Sequence, residues 1–228
     1  AHNALIALQI ALTLVLLAAA GSAMTGFLRL MHTPLGYDPH HVMSVGIPLH
    51  ENSYTTWAAR GEYFEQLRAK VAETPGVTMA AISSNATPPR NGWYSRLEIL
   101  GKPAVEQQMG SINLIGPGYF AALRIPLLEG RIWSETENHN GAHVAVINRT
   151  LAKRYFPNGD AIGHSVKVPG FEDRPPTVLS AAKIADSWLE IVGIAADARN
   201  DGLSNPVRPA IFVPYTLNMR EGTQILVR

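Results

Sequence analysis

The hydrophobic pattern opens with one long apolar run. Residues 4–24 carry no charge, and Gln9, Thr13 and Ser22 are their only clearly polar members. As a helix rising about 1.5 Å per residue, such a run spans roughly 30 Å, the thickness of a hydrocarbon core. It is apolar on every side, and a helix of that kind needs protein or lipid all around it. A transmembrane helix with its flank is therefore expected over residues 1–31, touching membrane lipid through residues 4–24. Gln9 and Thr13 share a face that can hydrogen-bond to neighbouring helices, while Ala7, Ala11, Ala18 and Ser22 permit close approach. The competing reading is a cleaved signal peptide, because residues 5–17 have the length of an h-region and Ala18-Ala19-Ala20 suits a cleavage site.

After Gly36-Tyr37-Asp38-Pro39 the pattern becomes that of a folded polar-surfaced domain. Residues 42–49 read as a short strand broken by Gly46 and Pro48. Residues 55–74 read as an amphipathic helix, with Trp57, Phe64, Leu67 and Val71 at helical spacing and Pro75-Gly76 as its stop. Residues 77–83 follow as a buried strand, so the domain opens with a β-α-β unit whose helix covers one sheet face. Residues 85–95 read as a loop and 97–100 as the start of another strand. From about residue 105 the elements shorten: a helical turn at 117–123, a strand at 143–147, and a helix at 149–156 that Asn148 can cap. Residues 169–187 resemble a surface loop, and strands are expected again at 188–196, 210–215 and 223–227.

The fold class expected is thus α+β. An N-terminal transmembrane helix (1–31) precedes a porter-like α/β subdomain in two parts (32–104 and 188–228), interrupted by a smaller inserted subdomain (105–187). On this reading the sheet is assembled from both ends, the insertion is a detour, and Tyr119, Phe120, Tyr155 and Phe156 fill its small core.

Composition changes the picture mainly by exclusion. Nineteen basic and eighteen acidic residues, with no long run of either sign, give no stripe for nucleic acid. The absence of cysteine excludes disulfides, thiolate metal sites and a cysteine nucleophile. No G-x-x-x-x-G-K-[ST] is present, so the phosphate cradle of a P-loop ATPase is missing, as are G-x-S-x-G and H-E-x-x-H. Gly116-Pro117-Gly118-Tyr119-Phe120-Ala121 fits a loose G-x-G-x-x-A form but lacks its β-α-β setting and reads as a turn.

Three sets of polar residues deserve weighing as chemistry. Glu137, His139 and His143 place a carboxylate and two imidazoles in one segment, enough for part of a zinc or copper site, although solvated loop side chains are the ordinary outcome. His40 and His41 are adjacent and so diverge, which suits a surface position just outside a membrane. Asp160, between Gly159 and Gly163, reads as a turn-former before it reads as an acid or base. Trp57, Trp93, Trp133 and Trp188 are too dispersed for a ligand cage. No catalytic, cofactor-binding or metal-ligating residue is assigned, and no cofactor is expected.

A succession of phrases resembles the MacB-like periplasmic core domain of ABC-transporter permeases, of the MacB/FtsX type and especially the Acidobacterial-type group. They include Phe27-Leu28-Arg29-Leu30, Leu35-Gly36-Tyr37-Asp38-Pro39, Tyr63-Phe64-Glu65-Gln66-Leu67 and Gly116-Pro117-Gly118-Tyr119-Phe120. Others are Ile125-Pro126-Leu127-Leu128-Glu129-Gly130-Arg131, Arg154-Tyr155-Phe156-Pro157-Asn158-Gly159-Asp160, Glu190-Ile191-Val192-Gly193-Ile194 and Pro209-Ala210-Ile211-Phe212-Val213-Pro214-Tyr215. The resemblance implies a bacterial inner-membrane protein with its N-terminus in the cytoplasm and residues from about 32 onward periplasmic. It also implies a separate ABC ATPase subunit or domain and other permease copies as partners, a role in export or mechanotransmission, and a chain that continues past Arg228. A membrane-anchored or secreted periplasmic binding module is the alternative, and a hydrolase or metalloenzyme using His139, His143 or Asp160 is a third reading.

Overall fold

The computed structural model describes residues 2–50, 52–84, 93–103, 108–171, 177–180, 188–199 and 202–228. They form two compact units, Ala1–Leu35 and Gly36–Arg228. The first is a single helix, α1 (His2–Met31). Over Asn3–Met31 its mean hydropathy is 2.3 and none of its apolar window is buried, so its length and composition suffice to cross a membrane. Within α1 the Thr13 hydroxyl donates to the Gln9 carbonyl at 2.8 Å and Thr25 donates likewise to Gly21. Thr13 is thus satisfied inside its own helix and needs no neighbouring one.

The second unit is built on one mixed sheet. Its strands are β1 (Met43–Ile47), β2 (Ala80–Ser83), β3 (Trp93–Arg96), β4 (Glu98–Ile99), β5 (Met109–Ile115), β6 (Leu127–Gly130), β7 (Val144–Asn148), β8 (Ser165–Lys167), β9 (Leu189–Ala195), β10 (Ala210–Pro214) and β11 (Thr223–Val227). The helices are α2 (Trp57–Ala72), α3 (Tyr119–Leu123), α4 (Glu135–His139) and α5 (Arg149–Tyr155). Among the described residues the strand order is β1-β11-β2-β5-β10-β7-β9-β8-β4, with β3 also on β5 and β6 also on β9.

The opening unit forms as its pattern predicts. Thr56 caps α2 through the Ala59 amide, and Gly76, at φ +91°, turns the chain after the helix. α2 buries Phe64 against the sheet. β1 and β2 both run antiparallel to β11, which lies between them, so the unit is a split β-α-β with its middle strand supplied from the far end of the sequence. Asn148 caps α5 by accepting from the Leu151 amide at 2.9 Å, as its position before the helix suggested.

The sheet is covered on both faces. Ala145, Ile147, Ile211, Val213 and Ile225 turn to the side of Phe64 and Leu151, whereas Val144, Val146, Ala210, Phe212 and Leu226 turn to the side of Tyr119, Phe120 and Trp133. Alternation along a strand puts neighbours on opposite faces, and burial of both faces makes β10 (Ala210–Pro214) a continuous apolar run.

The detour expected for residues 105–187 needs correction. The two ends do share one sheet, since β11 pairs with β1 and β2. The interval between, however, supplies inner strands: β5 runs parallel to β10, and β7 lies between β10 and β9. Residues 85–95 were expected as a loop, but Trp93–Arg96 pair with β5; residues 85–92 lie outside the described residues. Within the stretch read as a surface loop, Pro169–Phe171 make a 3-10 turn and Leu179 bridges to Met219, while 172–176 and 181–187 lie outside the described residues. Tyr119, Phe120 and Phe156 are each 2% exposed. Tyr155 is only half-buried, because its hydroxyl reaches the backbone of Met109 at the start of β5.

Candidate functional site

The site that ties the domain together joins the segment that enters it to the residue that follows β11. Gly36 sits at φ +77°, and a Cβ there would stand 2.0 Å from the Asp197 carbonyl oxygen, so only glycine fits. Two residues on, the Asp38 amide donates to the Leu123 carbonyl at 2.9 Å, fastening the incoming chain to the end of α3. At the other end of the domain, Arg228 follows β11, with its own amide donating to Met79 and its carbonyl accepting from Thr78 and Met79.

One side chain joins these two points. The Arg228 guanidinium donates from Nη2 to the Asp38 carbonyl at 2.8 Å, from Nη1 to Asp38 Oδ2 at 3.1 Å, and from Nε to the Ala122 carbonyl at 2.6 Å. Its side chain is 9% exposed. The planar fork of an arginine suits such simultaneous donation. Arg124, the left-handed cap of α3 at φ 53°, adds a 2.9 Å pair to Asp38 Oδ2 from a side chain that is 66% exposed. The His40 amide, and after it Arg228 and Arg124, hold the Asp38 carboxyl below its ordinary value against an opposing effect of burial. The carboxylate is therefore charged, and it fastens the incoming chain, α3 and the end of β11 to one another.

A second polar junction lies under α2. Glu65 accepts from the Tyr215 hydroxyl at 2.8 Å and pairs with Arg68 at 2.8 Å, and Trp57 Nε1 donates to the Thr216 carbonyl at 2.7 Å. Burial, followed by the nearby Glu65 charge, pushes the Tyr215 hydroxyl far above its ordinary range, so it stays protonated and donates. A cavity of about 90 Å³ beside it is lined by Trp57, Glu62, Glu65, His139 and Tyr215.

The residues weighed as chemistry are placed apart from the clamp. Glu137 is taken up by structure: Arg131 grips both its oxygens at 2.8 Å, and it forms a capping box with Ser134 at the start of α4. His139 ends α4 and His143 precedes β7, both exposed. Among the described residues no three His, Cys, Asp or Glu side chains gather as a metal site. His40 and His41 are exposed, and Asp160 lies 4.0 Å from His164 on the surface. Trp133 is 1% exposed and packs in the core beside α3, Trp93 packs on Phe171 at 5.3 Å, and Trp188 is 37% exposed. Gly116 and Gly118 lie in the turn before α3, which packs on β2 with the Gly116 amide donating to the Ile82 carbonyl at 2.7 Å. The sequence reading missed Arg228 and Arg124, because each looks like an ordinary surface cation in its local context. Asp38 was noticed only at the domain boundary and within a family phrase.

Comparison with known proteins agrees with this architecture. No curated protein matches the sequence. The periplasmic region of MacB from Actinobacillus actinomycetemcomitans is similar with a TM-score of 0.50 at 12% identity, covering 88% of this chain and 79% of that one. The extracellular domain of the noncanonic ABC-type transporter YknZ from Gram-positive bacteria gives 0.45 at 12% identity, covering 82% and 83%. A domain of a putative permease protein from Porphyromonas gingivalis gives 0.44 at 18%, covering 70% and 64%. At these identities the MacB likeness speaks to the fold. The family described as MacB-like periplasmic core domain matches residues 4–228, which takes in the apolar helix, the clamped ends and the whole sheet between them, so the chain belongs to that family.

Proposed function

We propose that this chain is a membrane helix and the extracytoplasmic domain of an ABC-type transporter permease, and that it passes ATP-driven motion outward for export or periplasmic mechanotransmission. The observation that carries the reading is the clamp: Arg228 binds the end of β11 to Asp38, just where the chain has left the apolar helix. A pull on the incoming chain then reaches β11 through Arg228 and α3 through the Leu123 carbonyl, rather than stretching a slack linker. Motion of this kind needs rigid elements with alternative arrangements and no catalytic constellation. ATP hydrolysis belongs to a separate ABC ATPase subunit or domain, since this sequence carries no P-loop. The apolar helix meets lipid through residues 4–24 and other copies of the permease in the bacterial inner membrane. Its N-terminus faces the cytoplasm and residues from about 32 onward face the periplasm.

The test uses the intact permease reconstituted with its ATPase. This chain has no cysteine, so in a permease and ATPase whose remaining cysteines are replaced a Glu73→Cys change at the exposed end of α2 is the single site for a spin label, and the distance between labels on two copies reports periplasmic motion. ATP should shift that distance in the parent protein. Arg228→Met should leave ATP turnover in place while shrinking the shift. A full shift in the Arg228→Met protein, with its fold intact by near-ultraviolet circular dichroism, would sink the reading.

A further inference from the structure

We infer that the groove between β6 and α5 is a binding site for a single-chain amphiphilic anion, a molecule with a hydrocarbon tail of medium length and a carboxylate or sulfate head. The groove encloses about 380 Å³, within the usual range of small-molecule sites. Its floor is apolar. Phe156 and Ile194 are buried beneath it, and Leu128 presents a side chain that is 39% exposed. Ile162, beside the groove, is 42% exposed, so apolar surface continues past the lining. Water is a poor occupant of such a floor, because it finds few polar partners there.

The rim supplies the charge. Arg149 and Lys153 stand four apart on α5 and therefore share a helix face, and both line the groove. Among the described residues neither has an ion-pair or hydrogen-bond partner for its side chain. Elsewhere in the domain, charged side chains bordering buried surface are committed: Arg131 to Glu137, Arg68 to Glu65, and Arg228 to Asp38. Among the lining residues Glu129, on β6, is the acid set against two cations, while Asp160, between the lining Gly159 and Ala161, stands 4.0 Å from His164, so an anionic head is drawn towards α5. A purely apolar ligand would leave the two cations unused, and a small hydrophilic anion would leave the floor unused. An amphiphilic anion uses both.

This inference stands apart from the coupling role, since the groove lies on α5 and β6 while the clamp is made by residues outside those two elements; either reading can fail alone. The full chain in zwitterionic lipid nanodiscs is titrated with decanoate by calorimetry, with empty nanodiscs as the blank. Saturable binding beyond the blank is expected. Arg149→Gln with Lys153→Gln should weaken it about tenfold, two partly exposed charge contacts being worth roughly 0.2–1 kcal/mol each. Leu128→Glu, which puts a carboxylate over the floor, should abolish it, and if that variant misfolds the double surface variant still decides. Decanol should bind more weakly than decanoate. The inference is overturned by an absence of saturable binding, by an affinity that the double variant leaves unchanged, or by decanol binding as tightly as decanoate.

Discussion

Replacing Arg228 by methionine keeps the apolar stem of the side chain and removes every donor that joins Asp38 to Ala122. Two of the lost bonds end on backbone carbonyls, Ala122 at 2.6 Å and Asp38 at 2.8 Å. Net contributions of about 1 kcal/mol per bond give about 2 kcal/mol in all, because a 9% exposed side chain leaves little room for water to replace it. The ion pair to the Asp38 carboxylate is left out of that sum, since the carboxylate faces solvent and surface pairs are screened. For a domain of this size, 2 kcal/mol corresponds to a fall of about 4–8 °C in unfolding midpoint. The assay is thermal unfolding of the full chain in detergent at neutral pH, followed by near-ultraviolet circular dichroism, which reports the aromatic packing of the domain. Arg124→Met is the matched comparison: it removes a cation from the same carboxylate, but one that is 66% exposed and makes a single contact. Its midpoint should stay close to that of the parent. If Arg124→Met costs as much as Arg228→Met, the effect is one of net charge near Asp38 and the clamp reasoning is wrong.

Three further outcomes are expected. Glu137 is held down to about 2, from an ordinary value near 4.5, first by Arg131 and then by the Ser134 amide. Its stabilisation is therefore present above pH 4.5 and lost as pH falls towards 2; with the carboxylate largely open to solvent, about 1 kcal/mol is expected, and Glu137→Gln should flatten the fall in midpoint between pH 6 and pH 3. Gly36→Ala should destabilise the domain by more than the Arg228→Met change, since its Cβ would meet the Asp197 carbonyl at 2.0 Å, and an unchanged denaturation midpoint would refute the claim that only glycine fits. Asn148→Ala removes the cap of α5 and the acceptor of the Ala210 amide, both at 2.9 Å, for about 2–4 kcal/mol by chemical denaturation, and an unchanged denaturation midpoint would refute the double role.

What the sequence disclosed follows from how local each signal was. α2 and α5 were legible because apolar spacing, a cap and a stop lie within a few residues of one another. β5 was not legible: Gly110, Ser111 and Asn113 interrupt its apolar residues, yet Asn113 donates across the sheet to the Ile211 carbonyl and Gly110 lies under Leu97. Those two partners lie outside residues 109–115, so no pattern within the segment could show them, and missing that strand turned an interleaved sheet into a supposed detour. Glu137 is the opposite case: Ser134-Glu135-Thr136-Glu137 spells a capping box in four residues, a local signal that a reading of the segment as a loop passes over. The clamp lies at the far limit, for Asp38 and Arg228 are 190 residues apart and each reads locally as an ordinary charge. A family phrase around Asp38 marked the position without its reason. The reason is physical: Asp38, whose amide is bonded to the end of α3, is reached from the end of β11 by a long, forked cation that donates to its carboxylate and its carbonyl together, and the residue that follows β11 supplies it.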